Sequence, residues 1–288
     1  MKYIKLNDGN KIPLIGFGTF QMTDSVQCEK VVLEALAAGY RLIDTAQSYF
    51  NEEAVGNAIT KSQVPREELF ITTKVWVDNY GYEKTIASVK ESLKKLQLDY
   101  LDLVLLHQPF ANYYEAYRAL VFLQKQGLIK SIGVSNFYPD RIADLCLFNE
   151  EQIMPAVNQI EINPFFQQQT AISVNHKYGV IAQAWAPFAE GRNNIFDNSV
   201  LKSIADKHQK SVAQIILRWL YHQDIPFCVK SSKKERIREN LNILDFELVA
   251  EDMLAITSLN LDKSSFFDHS SVEGPELIKK LVVQRAAK

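Results

Sequence analysis

Cysteine is scarce in this chain and scattered where it occurs. The 288 residues hold three, Cys28, Cys146 and Cys228, and no C-x-x-C pair. That spacing builds neither a structural zinc site nor a dense disulfide framework, so no metal site is expected. Three reduced, mostly buried thiols suit a cytoplasm. A long apolar run is missing too. Nothing approaches the roughly 20 residues that cross a bilayer, and the opening MKYIKLNDGNKIP has no signal-peptide core. A cytoplasmic protein without membrane contact is expected. Charge of one sign is also lacking: 32 Lys and Arg face 34 Asp and Glu, a net charge of −2. Nothing there recommends a nucleic acid or an anionic surface as partner. With 11 glycines, 9 prolines and 47% hydrophobic residues, disordered, collagen-like and fibrous classes are excluded. No linker or low-complexity segment divides the chain, which predicts one domain over residues 1–288.

What is present is a rhythm. KYIKLNDGNKIPLIG reads as a hairpin around the turn signal Asn7-Asp8-Gly9-Asn10. Eight β-rich runs follow, at 14–19, 41–46, 69–75, 101–107, 129–135, 155–162, 180–186 and 226–231. Helical periodicity separates them: Ile86, Val89, Leu93 and Leu96 step by three, four and three, and Tyr113, Tyr117, Leu120 and Val121 behave alike. Gly39, Gly127 and Gly179 follow such stretches, where a helix end accepts positive φ. The segment 211–222 is apolar on more than one face and predicts a buried helix. A doubly wound sheet and a closed barrel both satisfy this alternation. Eight units in about 250 residues favour the (β/α)8 TIM barrel, an α/β fold, with the hairpin closing its bottom.

Polar residues collect where these strands end, which in a parallel barrel is the active-site rim. Asp44 follows RLI, Lys74 follows FITT, and His107 follows LVLL. Ser135 and Asn136 follow IGV, Gln159 lies in AVNQ, Trp185 follows IAQA, and Lys230 follows FCV. Tyr49 stands five residues past Asp44. Burying Asp44 and Lys74 unpaired would cost several kcal/mol, on the order of 3–5, so pairing is expected. A buried ammonium beside a phenol favours the phenolate and lowers a pKa of about 10. With His107 alongside, the set can protonate an oxygen that gains charge, such as a carbonyl receiving hydride, whose usual donor is a nicotinamide. The usual dinucleotide fingerprint is missing, because Gly16-Phe17-Gly18-Thr19 lacks the third glycine of G-x-G-x-x-G. KSSKKERIREN, residues 230–240, offers cations and hydroxyls at a helix start instead.

The pieces DTAQSYFNE (44–52), TTKVW (72–76), LLHQP (105–109), GVSNF (133–137), NQIEINP (158–164) and KSSKKERIRENLNILDFEL (230–248) resemble the aldo-keto reductases, in order over essentially the whole chain. That resemblance implies a barrel enzyme reducing aldehydes or ketones (α-dicarbonyls, keto sugars or aromatic aldehydes) with NADPH. It implies a tetrad of Asp44, Tyr49, Lys74 and His107, with Tyr49 as general acid. By the same match, Ser135, Asn136 and Gln159 hold the nicotinamide carboxamide, and Gly18, Thr19, Asp44 and Trp185 join the cofactor set. Lys230, Ser231, Ser232 and Arg236 match a 2′-phosphate pocket, with Glu239 and Asn240 at the adenine. Phe20, Trp76, Gln108 and Phe110 are the substrate-pocket candidates. A monomer acting on a small-molecule carbonyl is implied.

Three positions depart from the family pattern. Trp185 stands where most members stack a tyrosine on the nicotinamide. Gln108 replaces a frequent tryptophan, leaving a polar opening. AEGRNNIF, 189–196, replaces a small-residue loop, with Arg192 either on a phosphate or on the surface. The late segment 264–277, with Phe266 and Phe267, reads as a loop over the substrate, and His269 within it receives no role. Two other readings use some of the same residues. A Schiff-base lyase built on Lys74 leaves the 230–240 cluster unexplained, and a regulatory NADPH-binding barrel with weak catalysis leaves the complete tetrad unexplained.

Overall fold

Ten strands and eleven α-helices appear in the computed structural model, which describes residues 2–286. The strands are β1 Tyr3–Lys5, β2 Lys11–Pro13, β3 Ile15–Gly18, β4 Leu42–Asp44, β5 Phe70–Val75, β6 Leu101–Leu106, β7 Ile129–Ser135, β8 Val157–Glu161, β9 Ile181–Trp185 and β10 Phe227–Val229. The helices are α1 Ser25–Ala38, α2 Glu52–Ser62, α3 Tyr82–Leu96, α4 Tyr113–Lys125, α5 Pro139–Phe148, α6 Gln169–Lys177, α7 Ser199–His208, α8 Val212–His222, α9 Lys234–Leu241, α10 Ala250–Thr257 and α11 Glu273–Ala286. Strands β3 to β10 pair in parallel, each with the next, and β10 returns to β3 to close the barrel. All eight expected runs are barrel strands, and helices separate them as the periodicity predicts.

Alternation along each strand sorts its residues between lumen and helices. In β6, Leu103 and Leu105 join the inner cluster, while Val104 and Leu106 join the core under the helices. The inner cluster is apolar at the bottom, where Leu42, Phe70, Leu103, Leu105, Ala156 and Val157 pack together. The hairpin plugs that end. Leu6 and Ile12 are buried in the same cluster, Asn7 Nδ2 donates to Pro155 O at 2.8 Å, and Asn10 Nδ2 donates to Ser131 Oγ at 3.0 Å.

Helix ends follow the local sequence. Asp24 caps α1 by accepting from Gln27 N at 2.9 Å, and Gly39 closes it at φ +113°. Ser211 and Gln214 form a capping box on α8, whose Ile215, Ile216, Leu217, Trp219 and Leu220 are buried, as that segment's pattern predicts. All three cysteines are free and buried. Among the described residues, no helix is long and apolar enough to cross a membrane.

Candidate active site

Moving up the lumen, the inward residues turn from apolar to polar. Phe70 lies in the bottom cluster of β5, and Lys74, four residues on, ends the same face. Leu42 and Asp44 stand in the same relation on β4. Lys74 is 1% exposed, and all three of its N–H donors are used: by Asp44 Oδ1, by Thr45 O at 3.1 Å, and by Tyr49 Oη at 3.4 Å. Asp44 is held from its other oxygen, where Gln159 Nε2 donates to Oδ2 at 2.8 Å across the barrel. Gln159 also donates to Gln183 Oε1 at 3.0 Å. The buried charges are therefore paired and hydrogen-bonded, the condition under which such a pair persists.

Tyr49 ends a short 3-10 helix, Gln47–Tyr49. Burial raises its phenol, Lys74 pulls it back and Asp44 opposes that pull, leaving it at about 12. The lowering expected from the ammonium is real but smaller than the desolvation, so the phenol stays protonated at neutral pH. Burial alone would lower the Lys74 ammonium; Asp44 and Tyr49 outweigh it and raise it, so the cation is permanent. His107 packs edge-on to Tyr49, with ring centroids 5.7 Å apart, and to Trp76 at 5.2 Å. Burial, then the charges of Lys74 and Arg285, hold its imidazole well below the ordinary range, and it is neutral. Ser48 Oγ lies 3.3 Å from His107 Nδ1, a partner that no sequence pattern singled out.

These residues floor a cavity of about 1110 Å³ at the C-terminal mouth of the barrel. Gly18, Phe20, Asp44, Tyr49, Trp76, His107, Gln108, Ser135, Asn136, Gln159, Trp185 and Lys230 all line it. Thr19 does not: it lies buried behind the floor, where its N–H and Oγ1 both donate to Asp44 O. Phe110 lines instead a separate cavity of about 320 Å³, together with Tyr138, His269 and Ser270. From the 230–240 cluster only Lys230 reaches the main cavity. Ser231 is buried, its Oγ accepting from Lys233 N at 3.1 Å, while Ser232 and Arg236 are exposed beside it. Glu239 and Asn240 lie further along α9, Asn240 buried. Neither Lys230 nor Arg236 is paired with a carboxylate among the described residues.

The roof departs most from the sequence-based expectation. Residues 264–272 form the expected strap, with Phe266 and Phe267 on the cavity, and then α11 begins. Leu277, Ile278, Leu281, Gln284 and Arg285 of this helix line the cavity. Arg285 packs over the Phe50 ring, 4.8 Å to its centroid, and reaches Asp78 at 3.7 Å. The i, i+4 spacing of Leu277 and Leu281, with Ile278 and Val282 beside them, carried that helix in the sequence unread. Segment 189–197 is a kinked 3-10 stretch with Glu190, Gly191, Asn193 and Asn194 at positive φ. Its Arg192 lines the cavity, donates to Ser265 O at 2.8 Å and stacks 4.4 Å above Phe266. His269, which received no role, is 6% exposed and lines both cavities, with both ring nitrogens buried and unpartnered among the described residues.

With this geometry in place, the relatives can be compared. A sequence model described as "Aldo/keto reductase family" matches residues 14–261. A glyoxal reductase of Bacillus subtilis (strain 168) is 45% identical over 261 residues, covering 90% of this chain and 93% of that protein. The methylglyoxal reductase DkgA of Escherichia coli (strain K12) is 41% identical over 263 residues, covering 90% and 94%. Among solved structures, a Bombyx mori aldo-keto reductase in complex with NADP superposes with a TM-score of 0.87 at 35% identity, covering 92% of this chain and 95% of that one.

Proposed function

This chain belongs to the aldo/keto reductase family, and from that premise we propose that it reduces small α-dicarbonyls, glyoxal and methylglyoxal among them, to hydroxy carbonyls with Tyr49 as the proton donor. The observation that carries the reading is Lys74, whose ammonium touches both Asp44 and the Tyr49 hydroxyl on the cavity floor. NADPH, when bound, supplies hydride to the carbonyl carbon.

The protein's own residues do the rest. Tyr49 delivers its proton to the carbonyl oxygen, and the permanent cation of Lys74 stabilises the phenolate left behind. Asp44 keeps Lys74 in place and compensates its burial. With Ser48 donating to Nδ1 of His107, the imidazole proton resides on Nε2, a second donor for the substrate oxygen. Phe20, Trp76 and Gln108 border the acceptor site. Among the described residues Trp76 Nε1 is a buried donor without a partner, which suits a substrate with a second oxygen better than a purely apolar one.

The chain fits the cofactor through its donor set. Ser135, Asn136 and Gln159 offer amide and hydroxyl groups for a carboxamide, and Trp185 offers a ring face. Lys230 and Arg236, both without a carboxylate partner among the described residues, suit a phosphate carried on the adenosine side. Ser231, Ser232, Glu239 and Asn240 complete that side of the proposal. The support is the similarity to a glyoxal reductase and a methylglyoxal reductase, together with an NADP complex at TM-score 0.87.

The test is NADPH oxidation with methylglyoxal, run beside Tyr49→Phe. Turnover by the wild type that the variant loses supports the reading. Equal turnover in both removes Tyr49 from the mechanism.

A further inference from the structure

Asn136 is a junction between strand ends. Its backbone N–H donates to Gln159 O at 3.0 Å. Its Nδ2 donates to His107 O and to Ser135 Oγ, each at 3.1 Å. Its Oδ1 accepts the indole N–H of Trp185 at 2.9 Å. The residue is 4% exposed and stands at φ +64°, a conformation that asparagine tolerates better than most.

The two ends of a side-chain amide are alike in shape and opposite in hydrogen bonding. Here two oxygens flank one end and a donor faces the other, so only one orientation satisfies all three partners. Remove the indole N–H, and Oδ1 loses its anchor, leaving the amide held only from its Nδ2 end by His107 O and Ser135 Oγ. The ring itself is held separately, tilted against Phe266 at 5.1 Å, so the aromatic face and the N–H are distinct contributions of one side chain.

We propose that Trp185 is a positioning residue whose indole N–H anchors the Oδ1 end of the Asn136 amide at the place where it meets the nicotinamide carboxamide. The inference rests on the cofactor reading above and goes beyond it. Stacking requires only an aromatic face, which phenylalanine also has. Anchoring of the Asn136 Oδ1 requires the N–H, which phenylalanine lacks.

Calorimetric binding of three ligands separates the two roles: NADP+, its 3-acetylpyridine analogue, in which a methyl group replaces the carboxamide –NH2, and 2′-phospho-ADP-ribose, which has no nicotinamide. The wild type should bind the acetylpyridine analogue about five- to tenfold more weakly than NADP+, the effect of one lost hydrogen bond. In Trp185→Phe that ratio should fall to about twofold or less, with 2′-phospho-ADP-ribose affinity unchanged. Replacing Trp185 by β-(3-benzothienyl)alanine, where sulfur takes the place of the N–H in a ring of the same shape, should narrow the ratio equally. It keeps the test open should the phenylalanine variant fold poorly. A ratio retained in both variants overturns the proposal while leaving the cofactor reading intact. So does an equal loss of 2′-phospho-ADP-ribose binding, which would mean a general collapse of the pocket. A wild type that binds none of the three overturns the cofactor reading and this proposal with it.

Discussion

Lys74 and Tyr49, 25 residues apart in the chain, meet at 3.4 Å on the cavity floor, with the lysine's other N–H groups already committed to Asp44 and Thr45. The contact predicts different consequences for its two members. Tyr49→Phe removes one hydroxyl and no charge, so turnover should fall about 10²–10⁴-fold with stability little changed. Lys74→Met should lose turnover as well. It also leaves Asp44 buried without its cation, a cost of about 3–5 kcal/mol. Steady-state kinetics and urea unfolding of both variants check the contrast. Similar stability losses in the two would show that the pair does not carry the charge balance.

The cofactor side predicts a change of preference. Lys230→Met and Arg236→Met each remove a cation that has no carboxylate partner among the described residues. Each should raise the NADPH KM about 10- to 100-fold, the worth of a charge-assisted hydrogen bond, while the NADH KM moves little. Equal shifts for both coenzymes would place these cations away from the 2′-phosphate.

Much of this site was legible because strand residues alternate with period two. Once Phe70 is a lumen residue, Lys74 must be one too, and the same holds for Leu42 and Asp44. Relationships through space were not legible. Nothing near position 136 announces that its amide will meet an indole 49 residues later, and nothing near position 50 announces Arg285 over its ring. The chain's own pattern did carry α11, whose Leu277 and Leu281 stand one turn apart. The phenol of Tyr49 marks another limit: its neighbours were readable, but the burial that outweighs Lys74 depends on how the whole mouth closes.

Packing behind the site gives a stability test. A Cβ on Gly56 of α2 would stand 2.6 Å from Lys95 O and 2.7 Å from Leu96 O of α3. Helix propensity favours alanine there by about 1 kcal/mol, whereas overpacking against backbone costs about 1–3. Sterics should win, and Gly56→Ala should lower the unfolding free energy. A stabilised variant would mean the two helices separate at little cost.

His269 supplies a pH dependence of stability. Burial holds its imidazole down at about 4, well under the ordinary 6.5. The unfolded chain therefore binds the proton first, and the stability associated with this residue is complete above pH 6.5 and lost as pH falls toward 4. Burial of Glu52 and Glu161 raises their carboxyls and works in the opposite direction, so the difference between two proteins is the cleaner measure. His269→Phe should gain on the wild type by about 1.4 kcal/mol per pH unit across that window. Parallel stability curves for the two proteins would show that the imidazole ionises in place.

Catalysis should respond to pH unequally in its two directions. Reduction needs Tyr49 protonated, and a phenol at about 12 remains so at any ordinary pH. His107, held well below 6.5, adds no ionisation near neutrality. The kcat/KM for methylglyoxal should therefore be flat from about pH 6 to 9 when proton transfer limits the rate. Alcohol oxidation needs the phenolate, whose fraction grows tenfold per pH unit below its pKa. Its kcat/KM should climb with a slope near one over the same range. A bell centred near pH 7 in the reductive direction would transfer the proton-donor role from Tyr49 to His107.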